Sequence, residues 1–139
     1  MRQAQNCFRV DTHGSGFYEI TQPVASWARA QNMVSGLLTL FCKHTSASLI
    51  IQENADPSVL RDLEAAFARF APRGAGLYEH DTEGVDDMPA HIRTALTQTH
   101  LSIPLVDGAL ALGAWQGVFL FEHRARPHRR EVVAHLLGE

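Results

Sequence analysis

Cysteine, basic charge and long apolar runs are all scarce in this chain, and each scarcity removes a class of protein. Cys7 and Cys42 are the only cysteines among 139 residues. Two isolated thiols form neither a disulfide framework nor a C-x-x-C metal site, and in apolar strand-like runs a free cysteine acts as a small hydrophobe. Lysine and arginine total 12 against 15 acids, a net charge of -3 with histidines neutral. A phosphate-neutralising basic face is therefore not expected, nor a nucleic-acid partner. The one basic run, Arg124, Arg126, Arg129 and Arg130, is broken by Pro127 and His128. No stretch approaches the roughly 20 apolar residues that a membrane span needs. Met1 to Asp11 is polar and lacks the apolar region of a secretory signal. The expectation is a soluble, cytoplasmic protein with no membrane partner. Walker-A, G-x-G-x-x-G, G-x-S-x-G and H-E-x-x-H strings are also missing, which argues against a serine hydrolase and leaves no local zinc signature.

What is present is ordinarily globular: 45% hydrophobic and 19% charged residues, without repeats, linkers or composition breaks. Residues 1–139 read as one domain, long enough to bury a core without staples. Residues 6–11 and 17–21 have strand character around the turn His13-Gly14-Ser15-Gly16. Thr21-Gln22-Pro23 opens a helix whose apolar stripe is Val24, Trp27 and Ala28. Leu37–Lys43 and Ala47–Glu53 alternate as strands, and the three residues between them suit a hairpin or a bulged bend. Asp56-Pro57 is a strong helix start, followed by Leu60, Leu63, Phe67 and Phe70 at helical spacing. Residues 73–88 form a long loop, and a loop that long is usually functional. Pro89 begins a short helix carrying Ile92, Ala95 and Leu96.

Four further strands are expected at 101–106, 109–114, 118–124 and 130–137, the first two joined by a tight Asp107-Gly108 turn. Pro104 belongs at a sheet edge or break. Short links favour antiparallel pairing. The fold class is α+β: an antiparallel β-sandwich or flattened barrel of about eight strands with about three helices.

Polar residues concentrate in three places. The first is His44-Thr45-Ser46-Ala47-Ser48-Leu49 with Glu53-Asn54-Ala55-Asp56-Pro57. The second is His80 to His91, and the third is Trp115-Gln116-Gly117 with Glu122-His123-Arg124. Buried polar groups are costly unless each finds a partner, so such clusters point to one convergent site. His44, His80, His91 and His123 are candidates for acid/base work or metal ligation, since imidazole titrates near neutrality. Asp86 and Asp87, with His91, could hold a divalent cation, or the acids could simply cap a helix. Thr45, Ser46 and Ser48 could bind an anionic ligand or satisfy strand-end backbone groups. Trp115 and Gln116 could line a pocket, with Arg124 binding phosphate. Strand alternation places Glu122 and His123 on opposite faces, so they can share a site only where the strand ends or bulges.

These strings, together with Leu112-Gly113-Ala114-Trp115-Gln116-Gly117, resemble the YjbQ-like family, whose members are often described as secondary thiamine-phosphate synthases. The likeness runs from about Gly16 to Arg130. It implies sandwiched antiparallel sheets, assembly as a homotrimer, and a polar cleft of histidines and acids near subunit boundaries. It implies a phosphate-handling enzyme that joins a pyrimidine diphosphate to a thiazole phosphate, releasing pyrophosphate, with that activity as a side reaction. A divalent cation, Mg²⁺ or Zn²⁺, and a phosphorylated small-molecule substrate follow. The alternative is a non-enzymatic homotrimer that binds a metal or metabolite. Three positions depart from the family pattern: Gln52 and Asp87 stand where asparagine is more usual, and Ala114 where threonine is. Asp87 adds a negative charge at the presumed cation site.

Overall fold

The computed structural model describes residues 1–139, with eight strands and three helices in the order β1 (Arg2–Thr12), β2 (Gly16–Glu19), α1 (Thr21–Ala30), β3 (Gly36–Cys42), β4 (Ala47–Glu53), α2 (Pro57–Phe70), α3 (Asp87–Leu96), β5 (His100–Val106), β6 (Ala109–Leu110), β7 (Gln116–Glu122) and β8 (His128–Gly138). Two antiparallel sheets curl against each other: five strands in the order β1-β8-β3-β5-β6, and three in the order β2-β7-β4. The α+β sandwich expected from the alternating patterns is the observed architecture. No helix is long and apolar enough to cross a membrane.

The core lies between the sheets. Leu38, Leu40 and Cys42 of β3, Leu101, Ile103 and Leu105 of β5, and Val132, Ala134 and Leu136 of β8 point inward from the larger sheet. Ala47 and Leu49 of β4 and Val118 and Leu120 of β7 meet them from the smaller one. Each inward-facing set is spaced by two residues, as a pleated strand requires. Val24 and Ala28 of α1 close one end. The outer face of the smaller sheet carries a second apolar layer, where Phe121 stacks on Phe17 at 4.0 Å and meets Phe67 of α2 edge-on at 5.2 Å.

Several boundaries differ from the alternating pattern for local reasons. β1 begins at Arg2 because eleven residues pair with β8, from Arg2 opposite Gly138 to Thr12 opposite His128. Its polar outer positions hid that length. Segment 43–46 is a bend and no hairpin: β3 pairs with β5 and β8, whereas β4 pairs with β7, so the chain changes sheets there. β6 is cut to two residues, after which the Ala111 amide turns to the Pro104 carbonyl. β7 ends at Glu122, where the His123 amide is shared between the Ser46 carbonyl and the Glu122 carboxylate and the Arg124 amide turns to that carboxylate. The Asp107-Gly108 turn has φ of 50° and 78°, the paired left-handed conformation of a tight hairpin. On α3 the buried residues are Asp87, Pro89, Ala90 and Arg93; Leu96, assigned to the apolar stripe by spacing, is 58% exposed.

Candidate functional site

Helix α3 begins with two acids, and they do different things. The Asp86 side chain makes no capping bond to the helix. Its Oδ2 accepts instead from Arg124 Nε at 3.0 Å and from the Ala125 amide at 2.9 Å. Asp87, only 2% exposed, divides its oxygens: Oδ1 accepts from Arg124 Nη1 at 2.7 Å, and Oδ2 faces two imidazoles. His80 Nε2 lies 2.6 Å from Oδ2 and His91 Nε2 lies 3.3 Å from it. His91 reaches the same carboxylate because positions four apart share a helix face. Arg124 also donates through Nη2 to the Glu83 carbonyl at 2.9 Å, fastening the long loop to the helix. The loop is closed at its base by the Tyr78 hydroxyl on the Pro72 carbonyl.

Both acids are held below the usual carboxylate range. For Asp87, burial works to raise the value but is outweighed by the His80 hydrogen bond and by the charges of His91 and Arg124. For Asp86, burial is outweighed by the Ala125 amide and the Arg124 guanidinium. A carboxylate ionised this firmly beside two imidazoles is a cation-binding combination.

His80, Asp87 and His91 present ligand atoms all within 4.8 Å of one another. The second nitrogen of His91 supplies the test of fit. Nδ1 lies 3.0 Å from the Thr45 carbonyl, which can only accept, so Nδ1 carries hydrogen. In neutral His91 the Nε2 lone pair then confronts the lone pairs of Asp87 Oδ2, a contact that only a proton or a metal ion satisfies. Backbone orientation of a histidine's other nitrogen is the usual support of a metal ligand. Two imidazoles and a carboxylate suit Zn²⁺ better than Mg²⁺, which favours an all-oxygen shell.

His44 faces the same side. With His91 and Thr45 it lines an open cleft of about 470 Å³, walled by Thr94, Thr97 and His100. His44 Nε2 accepts from the Glu131 amide at 2.8 Å, so that nitrogen is committed to the backbone. Burial first, then the charge of Arg130, lower its pKa. Nδ1 is left as its second polar atom.

His123 is not at that cleft. It is fully buried, and burial followed by the charge of Arg93 brings its pKa down to about 3. Its Nε2 meets Ser48 Oγ at 2.9 Å, and the Thr97 hydroxyl donates to the same oxygen at 2.6 Å. His123 and Ser48 thus form an internal polar chain that reaches the cleft only through Thr97.

Glu122 turns to the sandwich interior, as alternation requires. It accepts from Arg130 through Nε and Nη2, and from the Thr12 hydroxyl. Ser46 Oγ accepts from Arg130 Nη2 at 3.0 Å, so this hydroxyl serves the buried pair. Arg124, expected to bind phosphate, has Nε, Nη1 and Nη2 all turned to internal acceptors and acts as a clamp on the acids. Trp115 and Gln116 lie at the far end of β7, roughly 20 Å from Glu122 at strand rise. Gln116 Oε1 there closes a turn on the Gly113 amide, and Trp115 is 64% exposed. The three polar clusters therefore converge only in part: His44, Thr45, His80, Asp86, Asp87, His91 and Arg124 come together, whereas Ser46, Ser48 and His123 turn inward and Trp115 and Gln116 lie apart.

Sequence reasoning missed Thr12, Arg93, Thr97 and Arg130 as partners in these networks. None stands in a recognisable motif, and only the packing of one sheet on the other brings Thr12 of β1 and Arg130 of β8 to Glu122 of β7.

The family model described as "UPF0047 protein YjbQ-like" matches residues 6–139. UPF0047 protein sll1880 of Synechocystis is 52% identical over 99% of this chain and 94% of its own length. Among solved structures, the conserved hypothetical protein TT1486 of Thermus thermophilus superposes with a TM-score of 0.82 at 39% identity, covering 95% of this chain and 99% of that one. The hypothetical protein APE1520 of Aeropyrum pernix superposes with a TM-score of 0.89 at 28% identity, covering 98% and 99%.

Proposed function

This chain belongs to the YjbQ-like UPF0047 family, and from that premise we propose that it is a divalent-cation-dependent enzyme acting on phosphorylated small molecules. The observation that carries the reading is the cluster of His80, Asp87 and His91, whose ligand atoms lie within 4.8 Å of one another beside an open polar cleft. We assign to it the secondary thiamine-phosphate synthase reaction that the sequence motifs suggest. The thiazole nitrogen lone pair forms a C–N bond to the pyrimidine methylene, the C–O bond to pyrophosphate breaks, and pyrophosphate leaves with that electron pair. Such a reaction needs charge stabilisation at the leaving group more than a nucleophile on the protein. A cation held by the cluster would supply it.

The chain's own residues do the remaining work. Arg124 holds Asp87 ionised and in place, and the Thr45 carbonyl orients His91. His44, hydrogen-bonded through Nε2, presents its other nitrogen as a proton donor to substrate oxygens. The Thr97 hydroxyl, committed to Ser48 Oγ, ties the cleft wall to the buried Ser48 and His123.

Assembly as a homotrimer belongs to the same proposal. Helix α2 has no buried residue despite its apolar stripe. Leu63, Phe67 and Phe70 with Ile50, Ile51 and Leu96 line an apolar groove of about 670 Å³. A groove of that kind on a chain this size marks an interaction surface.

The deciding experiment strips the protein of metal, reloads it separately with Mg²⁺ and Zn²⁺, and measures turnover of both substrates. Turnover no greater than that of a His44→Ala, His91→Ala double variant rejects the reaction. Stoichiometric metal without turnover favours a binding protein instead.

A further inference from the structure

A third cavity, of about 260 Å³, lies between α2, α3 and the loop before β2. Ser15, Glu64, Arg73, Arg93 and Phe121 line it. Arg93 is 6% exposed, and its one hydrogen bond runs from Nη2 to the Ala71 carbonyl at 3.0 Å. Its Nε is buried with no partner at all. Neither Arg73 nor Arg93 has a carboxylate within 4.0 Å. Arg73 donates only to the His123 carbonyl, at 3.3 Å.

A buried guanidinium without a counterion is an expensive arrangement, because the lost hydration is not repaid. Burial first and the neighbouring Arg73 second hold Arg93 below its ordinary pKa. Glu64 shares the cavity but stays beyond ion-pair distance, so the deficit of negative charge persists at its inner wall. Elsewhere in this chain buried arginine is matched: Arg130 pairs with Glu122, and Arg124 with Asp86 and Asp87. Arg93 is the exception.

We propose that the cavity walled by Arg73, Arg93 and Ser15 is a binding site for a phosphate monoester group. Two guanidiniums match the charge of a phosphate dianion, and planar N–H forks pair bidentately with its oxygens. The Ser15 hydroxyl adds a donor. A volume of about 260 Å³ exceeds the roughly 30 Å³ share of a single water, leaving room for the phosphate and part of an attached organic group. The site is separate from the cation cluster, because Arg93 leaves α3 about 200° around the axis from His91. It stands or falls independently of the catalytic reading above.

The test is titration of inorganic phosphate into the full chain freed of divalent cations, which removes cation-bridged binding at His80, Asp87 and His91. The Arg93 Nε–H signal in ¹⁵N–¹H spectra reports directly on the orphaned donor, and is expected to shift and saturate. Arg73→Gln should weaken binding about tenfold or more, as loss of a charge-assisted contact does. Arg73 is exposed, so this variant tests the site even where Arg93→Gln fails to fold. Glu64→Gln should tighten binding by removing a like charge, and His80→Ala should leave it unchanged. An Arg93 signal indifferent to phosphate, or an affinity unaltered by Arg73→Gln, overturns the assignment. So does a signal that is shifted before phosphate is added and reverts on dilution to monomer, because a carboxylate from a second copy would then be the counterion.

Discussion

His91 and Asp87 face each other across 3.3 Å, Nε2 to Oδ2, while the opposite nitrogen of His91 is fixed on the Thr45 carbonyl at 3.0 Å. The pair is poised for a third party. Equilibrium dialysis followed by elemental analysis should find one Zn²⁺ per chain, lost in His91→Ala. Arg124→Met removes the group that positions Asp87 without touching a ligand atom, and should weaken the metal by about 10–100-fold. Equal metal content in the wild type and His91→Ala would remove the cluster from consideration.

The Glu122–Arg130 pair is the chain's most buried ion pair, with side chains 0% and 5% exposed. Arg130→Met leaves a carboxylate uncompensated inside the sandwich and should cost about 3–5 kcal/mol. The double variant Glu122→Leu, Arg130→Met should recover most of that loss, since both charges leave together. Urea unfolding midpoints measure all three; a double variant as unstable as the single one contradicts the account.

Acid sensitivity should begin well above the carboxylate range. His123 has a folded pKa of about 3 against an ordinary 6.5, so between these values the unfolded chain takes up a proton that the folded chain refuses. Stability therefore falls as pH drops from 6.5 towards 3, by up to about 1.4 kcal/mol per pH unit. The lowered pKa of His44 acts in the same direction. Glu122, Asp86 and Asp87, whose values are depressed from below 5, add their losses only at lower pH. Between pH 5 and 6.5, His123→Gln should thus flatten the dependence of unfolding free energy on pH by close to one proton. An unchanged slope would show that the ring is not buried neutral.

The proposed trimer makes a mass prediction. Light scattering at micromolar concentration should return three times the chain mass, and Phe70→Glu or Leu96→Glu should return one. Phe70 and Leu96 are 64% and 58% exposed in the single chain, so neither substitution disturbs its core. A monomeric wild type would refute the assembly.

Element type was readable wherever the apolar period was clean. Leu38, Leu40 and Cys42 announce β3, and Asp56-Pro57 announces α2, where Asp56 accepts from the Ser58 amide at 2.9 Å. The cation cluster was partly readable, since Asp87 and His91 are one helical turn apart and His80 is near in sequence. Three things were hidden. Arg124 could be seen as a cation but not as one already surrounded by Asp86, Asp87 and Glu83. His123 could be seen as a histidine but not as one sealed beneath Phe121. Trp115 could be grouped with Glu122 only because their separation along an extended strand is invisible in a one-dimensional motif. Alternation along β7 did sort Glu122 from His123, because a strand's two-residue period survives any uncertainty in pairing.

The position of β8 has a kinetic consequence. This strand lies between β1 and β3, and is the only strand paired with β1. A nascent chain therefore holds β1 without a partner, and β3 with one open flank, until residues 128–138 leave the ribosome. The pair Arg2 and Gly138 must then close the longest loop in the molecule, a search whose entropy is spent before any reward. Through that interval two unpaired edges are exposed, the state in which strand-rich chains cross-associate. A chain truncated before His128 should aggregate sharply, whereas one that includes β8 should not.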